Sequence, residues 1–575
     1  MKKYLSILTI LLTSVSIGAY AQFNNTYSLS GTRLYTSSIA LPTNTTGGND
    51  IVMCSPALSS GSTTINKCVL IKTDNSGNVL VAKQRDTSNS IERIIETSDN
   101  GILLVSLFSD KVVLTKYDNS LNQVWAYAFP QNPDPHMAFG YSNNVDIEKI
   151  SYPNNPPNDQ ENYYIIYTAG PPNPFYYDDA NVGIMRIHQN GTLVWSKTYV
   201  DANRASYGSN SALRDFGHSI TSFTNPSNPN QKILAIAGTR DLYDQIHIRT
   251  TTLFSFEIDE NGSMVTSYKN ITTGGSQPFD PDILYDGTNL AMTYIEANSG
   301  INPKSGNASG VGLLRCSTSY TSFIGRYYWS KCENYGLSLT TSSDGNYIVG
   351  GWQSFCSPSF DASPMLFKIN KSTLNQMFCQ QYNIKDDYTN SGYHRTDNAN
   401  LNYILGNSLA SDLRLIKTDA SGVTCGNASN VMQKITFTPS AQDLTYNVVD
   451  NSQYMPITIM DFPVSIITRT CVGNASSYKM AGIVTALTDA AISIYPTLVD
   501  HENEMITCNV PGYKGASIDV VAYDLMGRKV YAHSYIPDDE DHIRFNSSVL
   551  QPGLNIINIL SGNHKLQIAK VNVVR

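Results

Sequence analysis

Charged residues are scarce in this chain of 575 residues. It carries 39 Lys and Arg and 47 Asp and Glu, which is 15% of the sequence, against about 25% in ordinary globular proteins. The formal net charge of −8 argues against nucleic acid as a partner, because phosphate recognition needs a basic surface. Apolar residues still make up 41%, so the chain can build a core and is not of the disordered class.

Long apolar runs are also missing. Beyond the first 21 residues, no segment approaches the roughly 20 apolar residues that a membrane span needs, and we predict no span in the mature chain. Residues 1–21 combine Lys2 and Lys3, a short apolar stretch and an Ala-Tyr-Ala sequence that ends at Ala21. This pattern predicts a secretory signal peptide, with Gln22 as the new N-terminus. A membrane anchor is the alternative, but Thr and Ser interrupt the stretch.

Metal and redox motifs are absent as well. No two of the nine cysteines have C-x-x-C spacing, which argues against a zinc site or a redox motif, and we predict no metal and no cofactor. An exported chain can form disulfides, and buried free thiols are the alternative, since sequence does not fix connectivity. If each cysteine pairs with its neighbour in the sequence, the disulfides are Cys54–Cys68, Cys316–Cys332, Cys356–Cys379 and Cys425–Cys471. Cys508 then has no partner.

Catalytic motifs are missing too. Neither G-x-S-x-G, H-E-x-x-H nor a P-loop occurs, and the turns of the chain lack the Trp of a sialidase box. Paired acids do occur, for example Asp280 with Asp282 and Asp386 with Asp387, but we predict that such pairs lie in solvated turns. General acid–base chemistry needs carboxylates that face each other across a cleft, which a sequence does not display. We therefore predict no catalytic residue.

What the chain does have is a repeated pair of strands. Tyr is abundant, at 36 residues. One pattern recurs: an apolar strand is followed by Lys or Arg, then by an apolar residue, and then by Asp or a residue that replaces it. A turn with Gly or Asn and a second strand follow. The seven units cover 69–83, 112–127, 182–199, 253–268, 312–331, 365–378 and 413–425.

The turns of these units have a specific chemistry. Their Asp side chains are predicted to accept backbone N–H bonds as Asx-turns, and their Gly residues to adopt positive φ at the hairpin tip. We expect the alternating strands beside them to bury one face and expose the other to water. The Asp positions are 74, 118, 259 and 419, and the Gly positions are 77, 191, 262 and 422.

Each hairpin follows a second pair of strands, most clearly at 337–352. Four short strands per unit are typical of a β-propeller blade. We predict an all-β chain with a seven-bladed (six to eight) β-propeller over 22–470, a linker at 471–493 and a small Ig-like β-sandwich at 494–575. An open solenoid would need equal spacing of the units, which is not seen. Either the segment after Gln22 or strands within 430–470 could complete the ring.

The repeats resemble the propeller region that is common in exported proteins of Bacteroidetes, in which "DGGYIVAG" and "LLKLDSNGNVLWSKTYGG" strings alternate. Residues 343–351, SDGNYIVGG, are similar to the first string, and residues 190–199, NGTLVWSKTY, are similar to the second. The resemblance covers about residues 35–425. It implies the architecture and says almost nothing about activity.

The last 80 or so residues resemble the C-terminal sorting domain (type A) of the type IX secretion system. Thr497 and Asn555 depart from the family pattern, which has Asn and Tyr there. The resemblance implies a translocon of that system as partner and delivery through the periplasm and outer membrane, to the cell surface or the medium, with any cleavage in the connector. The matching residues are Tyr495, Pro496, Asp524, Gly527, Arg528, Val530, Pro552, Gly553 and Lys570.

The best candidate binding segment is a Pro-rich insertion in the third unit. Its aromatic and acidic residues, 175–179, could stack on a sugar or anchor a protein contact, or they could pack onto the ring itself. They are Phe175, Tyr176, Tyr177, Asp178 and Asp179.

The sequence favours a non-enzymatic binding or adhesion protein with an unknown glycan or protein ligand. A secreted carbohydrate-active hydrolase or lyase with its site in the propeller channel is the alternative. Three or more carboxylates or His that converge at the channel mouth would favour the enzyme. A channel of apolar and amide groups would argue against it.

Overall fold

A computed structural model gives the fold. It describes residues 23–29, 32–34, 38–42, 49–59, 67–86, 92–108, 111–129, 145–153, 155–156, 160–169, 180–201, 211–244, 247–273, 277–297, 309–329, 333–354, 363–382, 393–397, 401–407, 412–424, 427–429, 433–437, 440–444, 446–450, 455–456, 461–463, 467–469, 493–495, 498–499, 504–510, 517–524, 528–538, 542–561 and 564–574.

Seven antiparallel sheets, here called blades 1 to 7, form the first part of the chain. The strands up to blade 3 are β1 (Phe23–Ser28), β2 (Thr32–Leu34), β3 (Ser38–Ala40), β4 (Ile51–Ser59), β5 (Lys67–Thr73), β6 (Val79–Asp86), β7 (Glu92–Glu96), β8 (Ile102–Phe108), β9 (Lys111–Tyr117), β10 (Gln123–Phe129), β11 (Val145–Ser151), β12 (Glu161–Ala169), β13 (Asn181–His188) and β14 (Leu193–Asp201).

Blade 1 is built on β4, β5 and β6, with β2 and β3 both paired to β4; blades 2 and 3 are β7–β10 and β11–β14. Blades 4 to 6 and most of blade 7 follow as β15 (Ser211–Asn225), β16 (Asn228–Asp244), β17 (His247–Asp259), β18 (Met264–Thr272), β19 (Gln277–Tyr285), β20 (Asn289–Ala297), β21 (Gly310–Ser317), β22 (Phe323–Trp329), β23 (Glu333–Thr341), β24 (Tyr347–Ser354), β25 (Ser363–Ile369), β26 (Gln376–Tyr382), β27 (Tyr393–Thr396), β28 (Asn402–Asn407) and β29 (Leu413–Thr418).

The blades form a closed ring. The first strands of successive blades, β3, β7, β11, β15, β19, β23 and β27, contact one another in that order, and β27 contacts β3. These innermost strands line a central channel. The predicted all-β, seven-bladed propeller is confirmed.

The N-terminal strand closes the ring. Strand β1 pairs antiparallel with β29, from Phe23 opposite Lys417 to Tyr27 opposite Leu413, and so becomes the fourth strand of blade 7. The seventh unit was expected to supply this strand itself. Its turn forms at 419–423, but no strand that pairs with β29 follows within the described residues.

A second element, which we call the belt, runs around the outside of the ring. Its strands are β30 (Asn427–Ser429), β31 (Gln433–Phe437), β32 (Ser440–Leu444), β33 (Tyr446–Asp450), β34 (Met455–Pro456), β35 (Asp461–Pro463) and β36 (Ile467–Arg469). They pair in turn with the outer strands of blades 6, 5, 4, 3, 2, 1 and 7. Each blade thus gains a fifth strand, and β36 lies against β1. Both segments proposed to complete the ring take part in it.

The connections between the strands of the belt are short. Its strands start six to nine residues apart, and an extended chain advances about 3.3 Å per residue, so each step covers roughly 20–30 Å. Because a strand edge with unpaired N–H and C=O groups invites aggregation, seven such edges are protected by one extended segment.

Apolar cores fill the spaces between neighbouring blades. In β12 all nine residues are buried, because blades pack against both faces of this strand. The expectation of one buried and one wet face is therefore wrong for the middle strands. It fits the outer strands better, where Val124 is 58% exposed and Leu80 is 55% exposed.

The turn chemistry follows the sequence prediction. Asp259 Oδ1 accepts the N–H groups of Asn261 and Ser263, at 2.9 and 2.8 Å, and Gly262 has a φ of +73°. The same pair of bonds occurs at Asp74, Asp118 and Asp419, and the other predicted glycines also have positive φ.

These turns hold the blades together. Tyr199, on the outer strand of blade 3, donates its hydroxyl to the carbonyl of Gly262 in the turn of blade 4, at 2.9 Å. Equivalent bonds join blade 7 to 1, 5 to 6 and 6 to 7. They are Tyr27 to Gly77, Tyr328 to Leu374 and Tyr382 to Gly422.

The tail is a separate compact unit, from Gly482 to Arg575. A sheet of β37, β39 and β42 and a sheet of β38, β44, β43, β40 and β41 enclose an apolar core, as the predicted sandwich requires. The elements are β37 (Ser493–Tyr495), β38 (Leu498–Val499), β39 (Met505–Asn509), β40 (Ile518–Tyr523), β41 (Lys529–Tyr535), β42 (His542–Asn546), a 3-10 helix (Ser547–Val549), β43 (Gly553–Ser561) and β44 (His564–Val573). In the parts of the chain that are described, no helix is both long and apolar enough to span a bilayer.

Loss of one inter-blade bond should weaken the ring measurably. We expect Tyr199→Phe to lower the free energy of unfolding of the propeller by about 1 kcal/mol, since the buried carbonyl of Gly262 loses its partner. Tyr285→Phe is the control, because within the described residues the Tyr285 hydroxyl makes no hydrogen bond. Urea unfolding followed by fluorescence measures both variants. Equal effects of the two substitutions would contradict the role assigned to the bond.

Candidate functional site

Side-chain hydrogen bonds join the innermost strands around the channel. Asp146 of β11 accepts the N–H of Ile220 in β15 at 3.1 Å, and Ser219 accepts that of Ile283 in β19 at 3.2 Å. Asp282 accepts that of Leu339 in β23 at 2.6 Å. One polar side chain at an equivalent position of each of these strands thus ties it to the next blade. Ser38 and Ser338 do the same for blades 1 to 2 and 6 to 7.

The innermost strands of three consecutive blades are also irregular. Strands β15, β19 and β23 each carry a β-bulge, between Gly217 and Ser219, Phe279 and Asp282, and Gly336 and Ser338. Bulges re-aim side chains and occur often beside active sites. Here the extra residues line one small cavity in the channel wall, which we call the channel site. Its lining is Arg93, Asp146, His218, Ser219, Asp280, Pro281, Asp282 and Leu337.

The Ser219 hydroxyl connects two of these acids. Its oxygen lies 2.9 Å from Asp146 Oδ2 and 2.6 Å from Asp282 Oδ1, so the two carboxylates are at most about 5.5 Å apart. A hydroxyl has a single proton to donate, so the second contact needs a proton on a carboxyl group. Burial, together with the charge of Asp146, raises the pKa of Asp282 to about 6, which favours that proton on Asp282.

Asp280 has a different environment. It is 5% exposed and has a φ of +45°, a conformation that costs free energy for a residue other than Gly and often marks functional sites. The imidazole of His218 lies beside it, with Nδ1 3.6 Å from Asp280 Oδ1. Burial raises the pKa of Asp280 to about 8, although the charge of Arg93 lowers it. At neutral pH this carboxyl is therefore largely protonated and can donate a hydrogen bond.

Neighbouring groups fix the other members of the channel site. The His218 ring contacts Thr239 Oγ1 through Nε2 at 2.9 Å, and its edge faces the ring of Phe216. Arg93 donates from Nε to the carbonyl of Val145 at 3.1 Å. The cavity has a volume of about 240 Å³ that includes space open to solvent, and its enclosed part admits about one water molecule.

Two further titratable groups of the channel wall serve to join blades. Glu148 accepts the N–H of Ser222 at 3.0 Å, and burial raises the pKa of Glu148 to about 7. His394 contacts Ser338 through Nδ1 at 2.9 Å, and burial lowers the pKa of His394 to about 3. Its imidazole is neutral at physiological pH. Among the described residues, no group of three or more His, Cys, Asp or Glu could hold a metal ion.

The acids of the channel correct one expectation from the sequence. Asp280 and Asp282 were predicted to lie in a solvated turn, and both are buried in an innermost strand. The sequence Phe-Asp-Pro-Asp at 279–282 looks like a turn because Pro and Asp are common there. In the fold the same residues form the bulge of β19. A signal for it was the apolar run on the C-terminal side, Ile283 and Leu284, which continues the strand.

Several predicted site residues lie outside the described residues. They are Ala21 and Gln22 at the predicted cleavage site, the candidate binding residues Phe175, Tyr176, Tyr177, Asp178 and Asp179, the cysteines Cys332, Cys356, Cys425 and Cys471, and Pro496 and Gly527 of the sorting motif.

The described cysteines are buried. Cys54 and Cys68 lie on the adjacent strands β4 and β5, with their sulfur atoms 3.6 Å apart, and a disulfide would require them to approach to about 2.05 Å. Cys316 and Cys379 lie in inter-blade cores and Cys508 in the core of the tail. The four disulfide pairings stay predictions.

The described residues of the sorting motif have structural roles in the tail. Asp524 accepts the backbone N–H of Arg528 at 2.9 Å and its Nε at 2.7 Å, which closes the turn between β40 and β41. Val530 packs against the tail core. Gly553 has a φ of +96° after Pro552, where a side chain would be strained. Tyr495 ends β37 and Lys570 lies in β44.

Comparisons with known proteins add little to this picture. No protein-family model matches the chain, and no curated protein matches it. Among solved structures, a glycoside hydrolase of family 32 from Bifidobacterium adolescentis is similar at 10% identity, with a TM-score of 0.29. The alignment covers 97% of this chain and 95% of the hydrolase chain. That likeness is too low to carry an argument, so the function must be inferred from the site itself.

The buried acid of the channel site should make the ring less stable at high pH. Because the pKa of Asp280 is raised when the chain folds, its contribution to stability is complete below about pH 4 and is lost as the pH rises to about 8. Asn cannot ionise and tolerates positive φ. We therefore expect Asp280→Asn to be increasingly more stable than the wild type between pH 4 and 8 in urea unfolding.

Asp344 gives the matched control with the opposite sign. Burial raises the pKa of Asp344, but bonds from Lys368 and Ser342 outweigh this effect and leave it well below its usual range. Asp344→Asn should therefore destabilise the ring at neutral pH, and the difference should shrink as the pH falls below about 4. A pH-independent effect of Asp280→Asn would contradict the burial of an ionisable carboxyl there.

Proposed function

We propose that the protein is an exported binding or adhesion protein that acts at the cell surface or in the medium. Its propeller is a rigid ring that presents loops to a glycan or a protein. Its tail sandwich is the sorting domain that a type IX secretion translocon recognises in the outer membrane. The observation that carries the binding function is the contrast between the two ends of the ring.

One end of the ring is made mostly of tight turns. The hairpin turns and Asx-turns lie there, and their hydrogen bonds and glycines serve to hold blades together. In an antiparallel meander the remaining connections leave from the opposite end. That end carries six connections of eight or more residues, at 130–144, 170–180, 202–210, 298–309, 355–362 and 383–392, whereas the turn end has only 41–50 and 152–160.

This contrast supports a binding role for the end with long connections. Loops on a rigid scaffold are where binding residues concentrate, and long insertions in compact domains are often functional. The candidate segment with Phe175, Tyr176 and Tyr177 connects β12 to β13 and leaves from this end. A non-catalytic role for the ring accords with the fact that Asp146 and Asp282 are engaged in bonds between blades.

A sorting role for the tail is supported by its separateness and by its turn. The tail is a compact unit with its own core, so it can fold independently of the ring. The Asp524–Arg528 bonds give the motif a defined shape on its surface, where Arg528 is 76% exposed. An exposed, preorganised turn is suited to recognition by a partner.

A hydrolase or lyase is the second candidate, because three acids and a His lie together in the channel wall. Asp146, Asp280, Asp282 and His218 converge there. Of these, Asp280 is suited to be a general acid, since its raised pKa keeps the proton available at neutral pH. The second acid of a glycosidase pair would have to be Asp146 or Asp282, both held by Ser219. The enclosed part of the cavity admits about one water molecule, which is too little for a sugar ring and favours the binding role.

Removal of the tail tests export. We expect a chain without residues 494–575 to accumulate in the periplasm of a host that has a type IX translocon, while the full chain reaches the surface or the medium. Arg528→Ala, which removes the Nε bond to Asp524 but keeps the backbone bonds of the turn, should give an intermediate result. Fractionation and surface protease treatment measure the distribution. Normal surface delivery of the truncated chain would refute the sorting role.

A glycan array separates the two functions. We expect residues 22–470, or the mature full chain, to be retained on particular glycans without consuming them. Tyr176→Ala with Tyr177→Ala should reduce retention at least about tenfold, while Asn75→Ala at the turn end should not. If the chain instead removes glycan from the array, and Asp280→Asn abolishes this removal, the enzyme would be established.

A further inference from the structure

The N-terminal strand carries the sequence of an outer blade strand. In blade 3, Trp195 lies opposite Arg186 and Tyr199 lies opposite Val182. In blade 7, Phe23 and Tyr27 take the corresponding places opposite Lys417 and Leu413. The sequence FNNTY at 23–27 therefore matches WSKTY at 195–199, and IGRYY at 324–328 and FCQQY at 378–382 have the same spacing.

Side chains of β1 fit the neighbouring blade in the same way as those of the other outer strands. Tyr27 is fully buried and donates to the carbonyl of Gly77 at 2.9 Å. Phe23 is 3% exposed, and its ring lies so close to Gly77 that an added Cβ there would be 3.0 Å away. Lys417 Nζ lies 5.9 Å from the centre of the Phe23 ring.

The same arrangement recurs at two other blade interfaces. Trp195 and Tyr199 surround Gly262, and Phe378 and Tyr382 surround Gly422. The outer strands of blades 3, 6 and 7 thus share a pair of residues that we call the signature: an aromatic residue over the turn glycine and a Tyr four residues later on its carbonyl.

The segment that should fill this edge by chain order does not have the signature. Trp195 and Tyr199 stand four and eight residues after the turn glycine Gly191, and the residues at the same distances after Gly422 are Gly426 and Asn430. Thr424 donates from Oγ1 to the carbonyl of Phe23 at 3.3 Å. The chain then continues into the belt, where Ala428 pairs with Gln381 of blade 6.

We propose that the edge of β29, with the turn of blade 1 beside it, is a peptide-binding slot selective for an extended strand with an aromatic residue and a Tyr four positions later. The chain fills this slot with β1, and β36 closes over it. Occupation of the slot by β1 directs the residues after Thr424 into the belt. The ligand class is an extended peptide of this pattern, bound by strand addition.

Binding in trans tests the slot in the full mature chain. Phe23→Ala with Tyr27→Ala weakens β1 while its backbone stays in the chain. We expect a labelled peptide of residues 22–30, QFNNTYSLS, to bind this variant and to raise its unfolding temperature. A peptide with Tyr27→Phe should bind roughly fivefold more weakly, as expected for one lost hydrogen bond. Equal binding of a scrambled peptide, or no binding of QFNNTYSLS, would overturn the proposal.

A second measurement does not depend on the peptide. In the intact chain, Gly426→Trp with Asn430→Tyr gives the segment after the turn the signature of the slot, and Tyr27→Phe weakens β1. Residues 427–429 already pair with β26, so the hydrogen exchange of β1 is the readout. We expect β1 to be less protected in this variant than in the control, Gly426→Ala with Asn430→Ser beside Tyr27→Phe, with blade 3 unchanged as the internal reference. Equal protection of β1 in the two variants would show that the edge does not select this pattern.

Discussion

The contact between the outer strand of one blade and the turn of the next is what the ring depends on. A Tyr hydroxyl binds a buried turn carbonyl, and an aromatic ring covers the turn glycine, as in Tyr199 and Trp195 over Gly262. A backbone carbonyl away from water must find a donor or lose free energy. The repeated Asp-x-x-Gly turn and the repeated Tyr are therefore two halves of one interface.

Closure of the ring is a special case of the same contact. The last blade lacks the required aromatic residues after its turn, and the N-terminal strand supplies them through Phe23 and Tyr27. The belt then pairs with every outer edge, including β1. The first and last parts of the propeller sequence thus meet in blade 7, so the stability of the ring rests on contacts between residues about 390 to 440 positions apart.

The channel shows the balance between structural and chemical uses of buried acids. Asp146 and Asp282 replace ladder hydrogen bonds between neighbouring blades, as hydroxyl groups do at Ser38 and Ser338. Asp280 sits on a bulge, in a strained conformation, and makes no such bond within the described residues. An ionisable group held in this way lowers the stability of the ring, and it either serves a function or has no compensating role. The pH dependence of Asp280→Asn and the array experiment distinguish these cases.

The sequence by itself determined the repeat, the all-β class, the blade count, the Asx-turns at Asp74 and Asp259 and the compact tail, because these follow from local turn chemistry and strand patterns. Only the tertiary structure decided which segment closes the ring, since Phe23 and Tyr27 acquire meaning only beside Gly77, a residue of another blade. It also decided that Asp280 and Asp282 are buried. Burial of an acid depends on which blades surround it, and a strand bulge and a solvated turn have the same local sequence.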